Sequence, residues 1–291
     1  MNTNHLIYFT RTPLHVGAGS SVGAIDMLVA RERHTQFPII PGSGLKGVFA
    51  DAWNDQLDDN GKRKNDSDAA WLFGSEDAEA AAAGALLFGE ARLLAFPVRS
   101  LKNSFAWITC PLILKKAVRD GLIKDADIPT LKDEEAYVSS NKLKAGETVI
   151  LEEYSFKVKE AVSSDLTKAL KALFADDVWQ SVDERLVIVS DEMMSYFCKN
   201  ACEVQQRIKI DNETGVVAKG ALFNQENVPA ETLFYSVLFS TNERTADKGR
   251  SAEEAITQFK AKLVANNNTF QFGGDAGIGL GFCTVGMKGD K

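Results

Sequence analysis

The chain has 291 residues, 45% of them hydrophobic and 25% charged, with a formal net charge of −7 at pH 7. That is ordinary for a soluble globular protein with a sizeable core, and no apolar run approaches membrane-spanning length. An acidic total argues against a surface given over to nucleic acid, although the charge is uneven along the chain.

Residues 91–119 hold Arg92, Arg99, Lys102, Lys115, Lys116 and Arg119 without one Asp or Glu, which allows a local basic face on an acidic body. The opening MNTNHLIYFTRTPL lacks the zones of a secretory signal, which points to a cytoplasmic protein. Cys110, Cys198, Cys202 and Cys283 form no CxxC pair and no disulfide framework, so buried free thiols are expected.

Taken in order, LIYFTRT (6–12) reads as a strand that Pro13 stops. FPIIP (37–41) is too rich in proline for a central strand and suits an edge. PGSGLKGVFADAW opens a helix with Ser43 as its expected cap and Leu45, Val48, Phe49 and Trp53 on helical spacing. Residues 55–70 read as a mobile polar loop, and EDAEAAAAG as a short turn or helix. ALLFGEARLLAF and SFAWITCPLIL read as strands, LTKALKALFA as a helix capped by Ser164 or Asp165, and RLVIVS as a strand. Ser190 starts a helix with Asp191 and Glu192 in its first turn.

RIKIDNETGVVAKGALF alternates with period two on both sides of a DNETG turn, the strongest hairpin signal in the chain, with one wet and one packed face expected. Ser251 and Glu254 form a capping box ahead of the helical series Ile256, Phe259 and Leu263, and NNN, TFQF and GGDAGIGLG close the sequence. Strands and helices alternate without a regular βα period, so the fold class is α+β.

Two glycine-rich stretches stand out, VGAGSSVGAID (16–26) and GGDAGIGLG (273–281). In the first, the third glycine comes one residue too late for a dinucleotide fingerprint. GSGLKG places its lysine before the final glycine, so it is no P-loop either. Backbone without Cβ atoms can approach a partner closely or turn at positive φ. Two such stretches, with Lys46 near a helix start, suit an extended polyanion.

HVGAGSSVGAID, ARERHTQFPIIPGSGLKG and GGDAGIGLGF resemble the RAMP superfamily of CRISPR-associated proteins. WLFGSE, AGALLFGEARLLAFPVRSLKNSFAWITCPLIL and RIKIDNETGVVAKGALFNQENVPAETLF are similar, within it, to backbone subunits of type III-B Cmr effector complexes. The resemblance runs from about Leu6 to Phe282 and is looser over 55–70 and 120–190. It implies a single domain over 1–291: a ferredoxin-like (RRM-like) core with a β-hairpin thumb at about 204–223 and a C-terminal glycine-rich loop. It further implies copies stacked along one CRISPR guide RNA with other Cmr subunits, and cleavage of single-stranded target RNA where each thumb displaces a nucleotide.

By the same resemblance Asp26 matches the family's cleaving aspartate, either as a base or as ligand to a divalent metal, Mg2+ or Mn2+. RNA brings its own nucleophile, the 2′-hydroxyl, so such a site needs in-line geometry and charge neutralisation more than a large catalytic apparatus. The candidate RNA contacts are His15, Gly17, Gly19, Arg31, Ser43, Lys46, Arg207, Gly277 and Gly279, with Arg33 beside them. Glu226 is a candidate auxiliary group reaching a neighbouring subunit, and Glu90 is read as structural. The competing reading is a scaffold that holds guide RNA without cutting.

Overall fold

The strand Asn2–Thr10 is buried on both faces from Leu6 to Phe9, as a near-continuous apolar run requires. In this computed structural model the residues described are 1–20, 23–65, 67–75, 82–124, 127–210, 213–244 and 249–289. Among them thirteen strands join in one mixed sheet. Asn2–Thr10 pairs antiparallel with Leu233–Ser240 on one side and with Phe282–Met287 on the other. Beyond Leu233–Ser240 the sheet continues through Ala91–Arg99, Phe105–Thr109 and Leu186–Ile188.

Tyr8 and Phe9 point to opposite faces and show how the layers are built. Tyr8 meets Phe49 and Phe272 at centroid distances of 6.3 and 5.5 Å, and Phe49 meets Phe259 edge-on at 5.0 Å. The helices Gly42–Asp51 and Ala252–Ala265 therefore cover that face. Phe9 meets Trp107, Phe174 and Trp179 on the other, under the helix Ser164–Lys171 and the turn Trp179–Ser181. The result is a mixed α+β architecture with a sheet between helical layers.

Several local expectations hold. The capping box at Ser251 and Glu254 forms in both directions, and Ser190 caps Asp191–Asn200. Ile39–Ile40 is a two-residue strand pairing with Ala91–Arg92 away from the main path of the sheet.

Others are corrected. SFAWITCPLIL is a strand only to Thr109; Pro111 then sits in the first turn of the helix Pro111–Arg119, where a missing N–H costs nothing. Ser43 does not cap its helix: Pro41 holds the cap position, without a side-chain hydrogen bond, and Ser43 lies within the first turn. Ser163 rather than Ser164 or Asp165 caps the next expected helix. The supposed polar loop 55–70 contains the start of the helix Asp68–Phe73, capped by Ser67 and buried from Ala69 onward. The EDAEA run, Ser21 and Val22 of the first glycine stretch, and Asp211 and Asn212 of the hairpin turn lie outside the described residues.

A second sheet of four strands, among the described residues, joins the two features singled out in the sequence. Its order is Glu203–Ile210, Val217–Asn227, Met27–Val29, Gly17–Ser20. The hairpin pairs antiparallel, with Ile208 opposite Leu222. Its inner strand pairs in parallel, through Gln225 and Met27, with the strand Met27–Val29 that directly follows the first glycine stretch. The expected packed face is missing: Ile208 and Leu222 are 51% and 57% exposed, and Val204 and Ile210 are exposed with them.

Candidate functional site

Asp26 lies just before the strand Met27–Val29, exposed, and is held by Asn224. The Asn224 amide donates to its Oδ2 at 2.8 Å, and the Asp26 amide donates to the Asn224 carbonyl at 3.1 Å. The Asn224 side chain adds a bond to the Ala24 carbonyl at 3.3 Å. Among the described residues, Oδ1 takes no hydrogen bond. The arrangement is one oriented carboxylate on an open surface, its second oxygen available to a partner.

The three consecutive residues Asn224, Gln225 and Glu226 hold this region together. Asn224 grips Asp26. The Gln225 side chain, fully buried, donates to Asp275 Oδ2 in the C-terminal glycine stretch at 2.7 Å. Glu226 Oε2 accepts from the Val29 amide at 3.0 Å, and its carbonyl accepts from His15 Nδ1 at 2.6 Å. Asn224, Gln225 and Asp275 escaped the sequence reading, although the polar run NQEN at the end of an alternating strand was a visible signal.

Arg31 was expected to meet phosphate, and the structure places it inside instead. Its Nη2 forms a buried ion pair with Glu226 Oε1 at 2.5 Å, and its Nη1 donates to the carbonyls of Gln36 and Cys198 at 2.8 and 2.7 Å. Burial opposes the guanidinium charge, but Cys202 and Glu226 beside it outweigh that, and its pKa is raised. The same contacts correct the expectation for Glu226, whose two carboxylate oxygens are both engaged within the chain.

His15 is 3% exposed. Because a carbonyl can only accept, the bond to Glu226 puts a proton on Nδ1; Nε2 is buried and has no hydrogen-bond partner among the described residues. A Cβ on Gly17 would stand 3.1 Å from that Nε2, so one glycine of the first stretch makes room for the ring. Gly273, at φ 77°, approaches so closely that a Cβ there would collide with the His15 carbonyl, while the Gly274 amide donates to the same carbonyl. The glycine stretches thus approach each other before anything else. Gly19, Gly277 and Gly279 differ: nothing lies within 4 Å of where their Cβ atoms would be.

Ser43 and Lys46 lie exposed on the helix Gly42–Asp51. Lys46 makes no ion pair among the described residues. Arg207 is half-buried on the hairpin, its Nη2 3.4 Å from Gln205 Oε1 and its Nε without a partner among the described residues. Four of the six cations in the basic run 91–119 are paired within the chain, while Lys102 and Lys115 are exposed and make no ion pair among the described residues. Arg92 pairs with Glu90 and Asp120, Arg99 with Glu152 and Glu153, Lys116 with Glu32, and Arg119 with Asp120.

Among the described residues, no three His, Cys, Asp or Glu side chains converge as a metal cage. The chain's own donor at this site is the Asp26 carboxylate. That donor set suits a hard divalent cation held by one carboxylate together with water and substrate phosphate. No helix among the described residues is long and apolar enough to cross a membrane.

Comparison with known proteins agrees with the sequence resemblance. A family model described as the RAMP superfamily matches residues 10–284. The chain is 31% identical over 291 residues to the CRISPR system Cmr endoribonuclease Cmr4 of Pyrococcus furiosus, spanning 96% of this chain and 94% of that protein. It is 38% identical over 90 residues to the CRISPR system Cms endoribonuclease Csm3 of Streptococcus thermophilus, 28% of this chain and 40% of that one. The crystal structure of oligomeric Cmr4 from Pyrococcus furiosus superposes with a TM-score of 0.72 at 27% identity, covering 99% and 98% of the two chains. A chain of the type III-B Cmr-beta complex bound to cognate target RNA, seen by cryo-EM, shares the fold with a TM-score of 0.73 at 21% identity, covering 99% and 97%.

Proposed function

The chain belongs to the RAMP superfamily, and from that membership and the site around Asp26 we propose that it is the backbone subunit of a type III-B CRISPR effector and an endoribonuclease acting on target RNA. The observation that carries the reading is the exposed Asp26 carboxylate, oriented by the Asn224 amide and with no hydrogen bond to Oδ1 among the described residues. Similarity across nearly the whole length of a relative named an endoribonuclease supports it.

In this reading the sheet around Asn2–Thr10 is a ferredoxin-like core, residues 1–291 form one cytoplasmic domain, and the hairpin Glu203–Asn227 is the thumb. Copies stack along guide RNA beside other subunits of the complex. Guide phosphates lie over Gly19, Gly277 and Gly279, where no Cβ stands between the main chain and a partner, with Lys46, Ser43, Arg207, Gly17 and His15 flanking the path. The exposed Ile208 and Leu222 press against bases and turn one nucleotide out of the stack.

Displacement brings the 2′-hydroxyl of the target strand into line with its own phosphate. Attack forms the 2′-O–P bond and breaks the P–O5′ bond; the 2′-hydroxyl proton passes to Asp26 or to solvent and the departing 5′-oxygen takes a proton from solvent, leaving a cyclic phosphate and a free 5′-hydroxyl. Asp26 stands at the scissile phosphate through Oδ1, either accepting the 2′-hydroxyl proton or acting as the chain's one ligand to Mg2+ or Mn2+. Such a cation, when bound, supplies charge neutralisation on the phosphate.

The test is cleavage of complementary RNA by a reconstituted complex containing Asp26→Ala or Asp26→Asn. Both variants should assemble and bind target normally. Asp26→Asn keeps an acceptor for the Asn224 amide and loses only the charge, so cleavage should still fall by about 10²–10⁴, the usual contribution of a positioned acid–base group. Regular cutting by either variant removes Asp26 from the mechanism, and failure of the unaltered complex to cut in divalent cation leaves a guide-binding scaffold as the function.

A further inference from the structure

Gln225 occupies the single backbone pairing at which the hairpin strand meets Met27, next to Asp26. Its side chain is fully buried, its Oε1 has no partner among the described residues, and one hydrogen bond fixes its orientation: Nε2 to Asp275 Oδ2, 2.7 Å. A hydrogen bond to a carboxylate is shorter and stronger than one between neutral groups.

Asp275 is no ordinary surface acid. It adopts the left-handed conformation, φ 65°, and its carbonyl accepts from the amides of Ile278 and Leu280. It therefore sets the turn that presents Gly277 and Gly279. Bonds that tie the loop down on this side run from the Gly274 amide to the His15 carbonyl, from Gln225 to Asp275, and from the Gly281 amide to the Pro13 carbonyl. The second of these runs to the residue adjoining Asn224, whose amide orients Asp26.

We infer that Gln225 is a positioning residue for RNA cleavage: through Asp275 it locks the C-terminal glycine loop to the strand that holds Asp26, keeping a strand bound over Gly277 and Gly279 in line with the carboxylate. This rests on the reading of Asp26 as the cleaving group. Gln225 touches no reacting atom, so its loss shows in the rate of the chemical step and not in affinity for RNA.

The experiment uses the reconstituted complex and two variants at Asp275, which is exposed, so that folding is preserved. Asp275→Gly adopts the left-handed turn freely but removes the acceptor; Asp275→Asn keeps an acceptor oxygen and also tolerates that turn. Single-turnover cleavage by Asp275→Gly should slow roughly 10- to 100-fold, the scale of loss when a reacting group is misplaced by about 1 Å, with target Kd unchanged. Asp275→Asn should restore the rate, and adding Gln225→Leu to Asp275→Gly should cost nothing more, because both remove one interaction.

Equal rates for all variants overturn the inference, as does a loss of Kd that accounts for the whole effect. Amide hydrogen exchange over Asp26–Val29 in the unbound chain gives a readout independent of cutting. It should quicken in Asp275→Gly and not in Asp275→Asn. If the unaltered complex fails to cut, the nuclease reading falls, while unchanged exchange would overturn the coupling itself.

Discussion

Asp26 and Asn224 clasp each other twice, the Asn224 amide holding the Asp26 carboxylate at 2.8 Å and the Asp26 amide holding the Asn224 carbonyl at 3.1 Å. The acid belongs to the first glycine-rich segment and its partner to the hairpin, so any displacement of the hairpin root moves the carboxylate with it. Site and hairpin are one mechanical unit.

Arg31→Met leaves the Glu226 carboxylate buried without its cation. The expected cost is about 3–5 kcal/mol in denaturant unfolding, the range for breaking one partner from a buried pair. Arg31→Lys recovers only part, because an ammonium cannot reproduce the planar fork that reaches Glu226, Gln36 and Cys198 together. A loss below about 1 kcal/mol, as for an exposed pair, with guide affinity falling instead, would return Arg31 to phosphate binding.

Acid should weaken the fold through Glu32. It is buried against Lys116, whose Nζ lies 3.0 and 2.7 Å from its two oxygens, and it accepts from Thr35 Oγ1 at 2.6 Å. Burial works to raise its pKa, but the hydrogen bonds from Lys116 and Thr35 outweigh burial and hold it below the ordinary carboxylate value. The unfolded chain therefore takes up this proton at higher pH than the folded one. The stabilisation is complete above about pH 4.5 and is lost as pH falls through the depressed native value. Glu32→Gln should lower the thermal midpoint at neutral pH and make its decline in acid shallower; an unchanged acid slope counts against this.

Ile208→Ser and Leu222→Ser should leave unfolding free energy within about 0.5 kcal/mol, since both side chains are already exposed. Target cleavage should fall and lose its regular spacing. Wild-type product ladders from the double variant would show that the apolar pair does not displace bases.

Chelating divalent cations should stop cleavage and leave the thermal midpoint where it was, because no protein cage forms among the described residues. Mg2+ or Mn2+ should restore cutting. Persistent cutting in chelator would take the cation out of the reaction, and a fall in midpoint would reveal a protein-held ion.

What was legible in the sequence was local. The hairpin announced itself by period-two alternation around a turn, and the caps at Ser190 and Ser251 by a hydroxyl before acidic first-turn residues. Pro111 marked a helix start too, but the apolar alternation before it disguised the change. Arg31 looked like a surface cation because its partner Glu226 stands 195 positions away. The meeting of Gln225 with Met27 leaves no trace in either segment, since one parallel backbone pairing imposes no side-chain pattern. The open question in the glycine stretches was what they approach. Gly273 answers that it is partly the protein's own main chain at His15.

The run Asn224–Gln225–Glu226 also dictates where this chain can tolerate changes in length. Residues can be added or lost near the far end of the hairpin without disturbing its base. One extra residue between Leu222 and Val228 would rotate every following side chain to the opposite face and detach the acid, the C-terminal loop and the buried ion pair in a single step. Indels among natural variants should therefore collect at the tip and spare the base.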